Sequence, residues 1–180
     1  MVTPERFWLA LMNELLRHGS RGAYQRDRSW TPVMDKVTEA ACRELGYKTC
    51  GEYLKIDRTA YTYGPAQHDD DWDLHLAIEF ENRPDWLKEF NKLAFIAADL
   101  RVLIAYQLRR DRKAQDKLRE YLKKHPDRVW KAPQPWLVIF GPHSELLETD
   151  VWEPYTIDDQ CDLVPLECET RLCGTCWDRP

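Results

Sequence analysis

The chain has 180 residues and a net charge of −5, with 43% hydrophobic and 12% aromatic residues, including eight Trp. This composition is ample for a packed core and excludes a globally disordered chain, and the negative charge argues against a protein that coats nucleic acid with its whole surface. The length favours one domain, which we assign to residues 1–150, followed by an acidic, Cys-rich extension at 151–180.

No segment has the pattern of a secretory signal or a membrane span. The longest apolar run, at 93–106, is interrupted by Asp99 and Arg101 and divides better into a helix end and a strand. We therefore expect a cytoplasmic protein that makes no membrane contact.

Two helices are predicted first in chain order. The first helix begins with the pair Thr3-Pro4, near the start of the chain, and ends at Gly19. The second helix spans about 31–45; it also begins with Thr-Pro, and it ends at Gly46. Proline suits the first helical turn and glycine suits the residue after the last turn, so both boundaries have a physical basis.

Two strands with alternating patterns follow, at 52–61 and 73–81, joined by a loop with Gly-Pro and an acid cluster. In the second strand, alternate side chains point to opposite faces, so we expect one apolar face and one face with three carboxylates and an imidazole. The apolar set is Leu74, Leu76, Ile78 and Phe80, and the other set is Asp73, His75, Ala77, Glu79 and Glu81.

The remaining elements alternate between helix and strand. We predict a helix at 85–98, a nearly all-apolar central strand at 101–108, a charged helix at 111–124, and strands at 136–142 and 148–157. This order predicts an α/β (mixed α+β) protein, in which helices flank a mixed central sheet.

Acidic residues on the two alternating strands could act together. If the strands pair in antiparallel fashion, Lys55 or Asp57 falls opposite 77–79, and neighbouring strands lie about 4.8 Å apart. Asp57 and Glu79 would then converge on one cation. An ordinary cross-strand ion pair between Lys55 and Glu79 on a solvated face is the alternative.

From 31 to 108 the chain resembles the PD-(D/E)XK nuclease superfamily, which has the restriction-endonuclease-like fold. In that family a helix precedes a three-stranded meander, a second helix and a further strand, with an Asp on the second strand and (D/E)-x-K on the third. Asp57 in YLKIDRTAY matches the first acid and Glu79 in AIEFEN matches the second. Glu81 stands where the family usually has Lys, and Ile56 stands where the proline would be.

The resemblance implies metal-assisted hydrolysis of nucleic-acid phosphodiester bonds. Mg²⁺ or Mn²⁺ would be bound by Asp57, Glu79 and the carbonyl of Phe80. Glu81 would act as the base or position a second ion.

The missing lysine has two candidate replacements, Lys55 from the neighbouring strand and Lys92 from the following helix. The acid that the family carries on its first helix would be Glu39 or Glu44. The expected partner is nucleic acid, in particular DNA, and cleavage of two strands by this fold implies a homodimer. Without the lysine, the alternative is a catalytically silent module of the same fold that binds nucleic acid or a protein.

Charge is unevenly distributed in the second half of the chain. Residues 101–131 contain eleven Lys or Arg and four acids, whereas 144–180 contain ten acids and two Arg. The basic segment is either the solvated face of a helix or a surface that faces phosphates.

Four of the six cysteines cluster near the end of the chain. They could bind Zn²⁺ as a tetrahedral thiolate site, and CGTC supplies a two-residue spacing typical of such sites. An iron–sulfur cluster, as in some nucleases of the superfamily, and a loose tail with reduced thiols are the other interpretations. These cysteines are Cys161, Cys168, Cys173 and Cys176.

Overall fold

The computed structural model describes residues 1–18, 31–63, 72–81, 85–106, 114–126, 134–141 and 152–167. Within these ranges the chain forms four helices and seven strands. The helices are α1 (Pro4–His18), α2 (Thr31–Glu44), α3 (Leu87–Leu93) and α4 (Ala114–Lys124). The strands are β1 (Lys48–Cys50), β2 (Arg58–Tyr63), β3 (Trp72–Glu81), β4 (Leu100–Tyr106), β5 (Trp136–Gly141), β6 (Glu153–Ile157) and β7 (Leu163–Pro165).

All seven strands belong to one mixed sheet and lie in chain order from β1 to β7. The strands β1, β2 and β3 form an antiparallel meander, β3, β4 and β5 are parallel, and β6 and β7 return antiparallel. The predicted fold class, a mixed central sheet flanked by helices, is therefore confirmed.

The sheet separates two apolar cores. On one face, α1 and α2 pack side chains such as Trp8 and Met34 against alternate residues of the strands. On the other face, α3 and α4 contribute Phe90 and Leu118 to a second core. Both cores consist largely of fully buried side chains, so burial of apolar surface on both faces stabilises the layered arrangement.

The strand β4 confirms the predicted central strand. Val102 and Ile104 belong to the α1–α2 core, whereas Leu103 and Ala105 belong to the α3–α4 core. A strand that is buried on both faces needs an unbroken apolar run, and β4 lies between the parallel strands β3 and β5.

The prediction that Leu74 lies on the same face of β3 as Leu76 is wrong. Ala60 pairs with Leu76 but Tyr61 pairs with Leu74, so His75 is an extra residue on β3. This bulge reverses the alternation, because one inserted residue moves the preceding side chains to the other face. Leu74 consequently packs against the α3–α4 core, whereas Leu76 packs in the α1–α2 core.

The predicted strand at 52–61 is wrong in its first half. Tyr53 and Ile56 exchange backbone hydrogen bonds of 3.0 and 2.9 Å across a two-residue hairpin turn. Leu54 and Lys55, the two central residues, have φ angles of 52° and 63°. Positive φ at both positions defines a type I′ turn, in which Asn-Gly is the usual sequence. Only from Arg58 does the chain continue as β2.

Two further boundaries differ from the predictions. The helix predicted at 85–98 is shorter, because α3 ends at Leu93 and a turn follows it. The strand β1 has only three residues and was not predicted from alternation. The second helix ends close to its predicted boundary, since Glu44 is its last residue and Gly46, two residues later, adopts a φ of 87°.

Residues 152–167, which the sequence analysis assigns to a C-terminal extension, contribute β6 and β7 to the same sheet. Trp152 precedes β6 and is fully buried in the α1–α2 core. Among the described residues, none of the helices is both long enough and apolar enough to cross a bilayer.

The hairpin turn before β2 gives a stability prediction. We expect the double variant L54N/K55G to have a free energy of unfolding about 1–2 kcal/mol higher than that of the wild type, because Asn and Gly adopt the left-handed conformation at lower cost. Leu54 is 69% exposed, so its replacement removes little buried apolar surface. Urea denaturation measures the difference, and an unchanged or lower midpoint would contradict the strain assigned to this turn.

Candidate functional site

The strands β2 and β3 pair in antiparallel fashion, which is the condition under which the sequence predicts that Asp57 and Glu79 meet, and this pairing brings the two residues together. Arg58 pairs with Ile78, which places the preceding Asp57 across from Glu79. The Oδ2 atom of Asp57 accepts a hydrogen bond of 2.9 Å from the backbone N–H of Phe80. The two carboxyl groups are close enough to hydrogen-bond to each other.

Lys92, on α3, lies beside the acidic pair, and we refer to Asp57, Glu79 and Lys92 together as the cluster. Its Nζ atom lies 2.6 Å from Oε1 of Glu79 and 2.5 Å from Oε2 of Glu89, and it donates a hydrogen bond of 2.6 Å to the backbone carbonyl of Lys55. Phe90 and Leu93 anchor the short helix in the core, and this anchoring holds Lys92 over the end of β3. One ammonium group thus contacts β3, α3 and the hairpin turn.

Glu79 is almost completely buried, with 1% of its surface exposed. Its Oε1 atom lies 2.6 Å from the ammonium of Lys92, which is within hydrogen-bond distance. A carboxylate oxygen has two lone pairs, so Oε1 can accept a second donor or bind a cation beside Lys92.

Burial raises the pKa of Glu79 to about 9. The hydrogen bond and charge of Lys92 oppose this rise, and the neighbouring Asp57 carboxylate adds to it. Burial lowers the pKa of Lys92, but its hydrogen bonds to Glu79 and Glu89 outweigh burial, and the net shift is upward. The net effect of the surroundings is to favour the protonated form of Glu79 beside the Lys92 cation.

The other residues predicted on this face have different positions. Glu81 is half-buried two residues after Glu79 on the same strand. The pKa of Lys88 is raised mainly by its hydrogen bond to Asp85, and the charge of Glu81 adds a smaller increase. The side chain of Lys55 is exposed in the hairpin turn, so only its carbonyl reaches the cluster.

Phe80 contacts the cluster through its backbone N–H, whereas the sequence analysis expected its carbonyl to bind a metal ion. Of the two lysines considered from the sequence, Lys92 is therefore the one whose ammonium lies against Glu79.

The two candidate acids of the helix before the meander pair with arginines instead. Glu39 lies 3.6 Å from the buried guanidinium of Arg58, which also contacts Asp35 at 2.5 Å. Because Arg58 follows Asp57 on the strand, it points to the opposite face of the sheet. Glu44 lies 3.9 Å from Arg17 of α1, so neither acid joins the Asp57–Glu79 pair.

A second polar cluster surrounds His75 and was not predicted. The Nε2 atom of His75 lies 2.8 Å from Oγ1 of Thr62, and the Nδ1 atom of His75 lies 2.6 Å from Oδ2 of Asp99. The ring of Tyr47 packs against the imidazole with 4.8 Å between centroids. His75 is four residues from Glu79 along β3, about 13 Å, so the two residues cannot share an ion. The bulge that turns His75 toward these partners leaves no signal in the alternation pattern.

The cysteine prediction is only partly within the described residues. Cys161 is buried and is not in a disulfide, with a φ of 60°. Cys168, Cys173 and Cys176 lie outside the described residues, so the Zn²⁺ or iron–sulfur site stays a prediction. Among the residues that are described, no three His, Cys, Asp or Glu side chains form a group that could bind a metal ion.

Comparison with known proteins finds no matching protein family, no matching curated protein and no matching solved structure.

The buried carboxyl of Glu79 predicts a specific pH dependence of stability in the absence of metal. Its folded pKa, about 9, lies above the ordinary value of 4.5, so between these pH values the folded state holds a proton that the unfolded state has lost. The free energy of unfolding should fall as pH rises through this window, by up to about 1.4 kcal/mol per pH unit.

The Glu79→Gln variant has no carboxyl group at this position to keep a proton in the folded state. The free energy of unfolding of this variant should therefore fall less than that of the wild type between pH 5 and 9. Urea denaturation at several pH values measures both slopes. Glu120→Gln on α4, whose side chain is 75% exposed, is the matched control and should follow the wild type. Parallel curves for the wild type and Glu79→Gln would show that Glu79 ionises normally in the folded protein.

Proposed function

We propose that this chain is a metal-dependent nuclease that hydrolyses phosphodiester bonds, with Asp57 and Glu79 as its acidic pair and Lys92 as its catalytic cation. The observation that carries the proposal is the convergence of these three side chains. Glu79 lies on β3, Asp57 directly precedes the paired strand β2, and Lys92 lies on the helix that follows β3, 2.6 Å from Glu79.

The order of elements supports the same proposal. The helix α2, the antiparallel meander β1–β2–β3, the helix α3 and the strand β4 parallel to β3 follow the layout of the PD-(D/E)XK superfamily. Glu79 lies on the third strand of the meander, as the resemblance in the sequence implies, and Asp57 lies one residue before the second strand, on which the resemblance would place it.

The two carboxyl groups suit Mg²⁺ or Mn²⁺. These ions prefer oxygen ligands, and Mg²⁺ is commonly bound by one or two carboxylates while water and substrate phosphate complete its shell. Asp57 and Glu79 would bind the ion through carboxyl groups that lie within hydrogen-bond distance of each other. When bound, such an ion makes water a better nucleophile and stabilises negative charge on the phosphate.

The residues of the cluster have separable roles in this chemistry. The backbone N–H of Phe80 fixes the Asp57 carboxylate, so this ligand is oriented before substrate arrives. Glu79 must release its proton to bind a cation, because only the carboxylate is a ligand. Lys92, oriented by Glu89 and by the carbonyl of Lys55, stabilises charge that develops on the phosphate. Glu81 is the nearby acceptor for the proton of the attacking water.

The alternative function is a silent module that binds nucleic acid or a protein without cleaving it. The observation that favours it is Glu81 at the position where the superfamily usually carries Lys. In the nuclease proposal Lys92 compensates for this difference, and the substrate is nucleic acid, with DNA as the expected form and a homodimer for cleavage of two strands.

A cleavage assay with oligonucleotides and Mg²⁺ or Mn²⁺ tests the proposal. We expect Asp57→Asn, Glu79→Gln and Lys92→Met each to lower the cleavage rate by about 100-fold or more, because each removes a charge that acts on the reacting phosphate or its metal ion. Lys88→Met is the matched control. It removes an exposed lysine of the same helix, paired with Asp85 at 2.7 Å, and should retain the wild-type rate.

Thermal unfolding of each variant distinguishes loss of activity from loss of structure. Cleavage that persists in Asp57→Asn and Glu79→Gln would contradict the assignment. Binding of oligonucleotides by a wild-type protein that cleaves none of them would favour the silent module.

A further inference from the structure

Four aromatic side chains form a continuous cluster on β2, on the beginning of β3 and on the hairpin turn; we call it the aromatic platform. The ring of Trp72 stacks on Tyr61, with centroids 4.1 Å apart and planes 3° apart. Tyr53 lies 5.2 Å from Trp72 on the hairpin side, and Tyr63 meets Tyr61 edge-on at 5.7 Å. These contacts join residues from three separate segments into one aromatic surface.

The aromatic platform is on the same face of the sheet as the acidic pair. Tyr61 pairs with Leu74, which packs against the α3–α4 core together with Ala77. Ala77 and Glu79 lie on one face of β3, and Thr59, which pairs with Ala77, lies with Tyr61 on the same face of β2. Asp57 directly precedes β2 and lies across from Glu79. Four residues separate Asp57 from Tyr61, which corresponds to about 13 Å along the strand.

The outer members of the platform are accessible. Tyr53 is 40% exposed, and Trp72 and Tyr63 are half-buried. The exposed Lys48 places its ammonium 3.8 Å from the centroid of the Tyr63 ring. Lys48 therefore lies over one face of the Tyr63 ring. An accessible aromatic surface that carries such a cation offers both a stacking partner for a base and a counter-charge for a phosphate.

This chemistry favours a single strand over a duplex. Bases in a duplex stack on one another and hide their faces, whereas the bases of a single strand can stack on aromatic side chains. At about 3.4 Å for each stacked nucleotide, and more for an extended chain, 13 Å corresponds to roughly two to four nucleotides. A strand whose bases lie on the platform can therefore place its backbone at Asp57 and Glu79.

We infer that the substrate of this site is single-stranded nucleic acid, whose bases stack on Tyr53, Trp72 and Tyr63 a few nucleotides from the bond that is cleaved. This inference rests on the proposed nuclease function for the cleavage step, whereas base stacking is tested by binding alone.

Fluorescence anisotropy with a labelled oligothymidylate of about ten nucleotides, at fixed salt and with Ca²⁺ in place of Mg²⁺, measures the binding step. We expect Tyr53→Ala and Tyr63→Ala each to weaken binding about tenfold, and Tyr53→Phe to bind like the wild type because stacking needs the ring and not the hydroxyl. Phe95→Ala is the matched control, since Phe95 is 72% exposed and lies outside the platform; it should bind normally. A blunt duplex of the same length should bind more weakly and should not respond to Tyr53→Ala.

Three results would overturn the inference: no binding of oligothymidylate, equal binding by all variants, or binding of the duplex at least as tight as that of the single strand. The aromatic platform would then be a candidate surface for a protein partner. The cleavage assay separates this failure from failure of the nuclease proposal. Cleavage that needs Asp57 but not Tyr53 or Tyr63 overturns the platform alone. Ring-dependent binding without cleavage overturns the nuclease and retains the binding surface.

Discussion

The register between β2 and β3 is the constraint on which the candidate site depends. Because Arg58 pairs with Ile78, Asp57 comes opposite Glu79, and a slip of one residue would turn every side chain of one strand to the other face. Buried residues on both faces fix this register, and the hydrogen bond from Phe80 N–H to Asp57 holds the acid at the end of the pairing. The layered core therefore determines the geometry of the acidic pair.

Burial then determines the chemistry of the pair. A carboxylate that is removed from water is costly unless it is paired, and Glu79 has both a cation and a second acid beside it. The raised pKa of Glu79 favours a proton at this site. A divalent cation could replace this proton and relieve the repulsion between the two carboxylates. Lys92 lies too close to Glu79 to be explained as a solvated surface lysine.

Some of these features could be predicted from the sequence because their causes are local. The apolar run of β4 and the alternation of β3 indicate strands directly, and spacing within a hairpin indicates that Asp57 and Glu79 could meet. Other features depend on tertiary context. The turn at 53–56 has Leu-Lys where Asn-Gly would have signalled it, and the bulge at His75 leaves the letter pattern unchanged.

The contact of Lys92 with Glu79 could not be predicted from the sequence, which left Lys55 and Lys92 as alternatives, because it depends on how α3 packs against the sheet. This helix has seven residues, and its position follows from the burial of Phe90 and Leu93. The aromatic platform likewise combines segments that are separated along the chain. The bulge sets which side of β3 faces Tyr61, and alternation alone would have placed Leu74 on the opposite side.

The central claim is that Asp57 and Glu79 form one cation site from which a proton must leave. Calorimetric titration of the metal-free protein with Mn²⁺ at about pH 7.5, in two buffers with different ionisation enthalpies, counts the protons released on binding. The account predicts release of nearly one proton for each ion bound, and loss of binding in both Asp57→Asn and Glu79→Gln. Absence of binding, or binding that releases no proton and survives both substitutions, would contradict it.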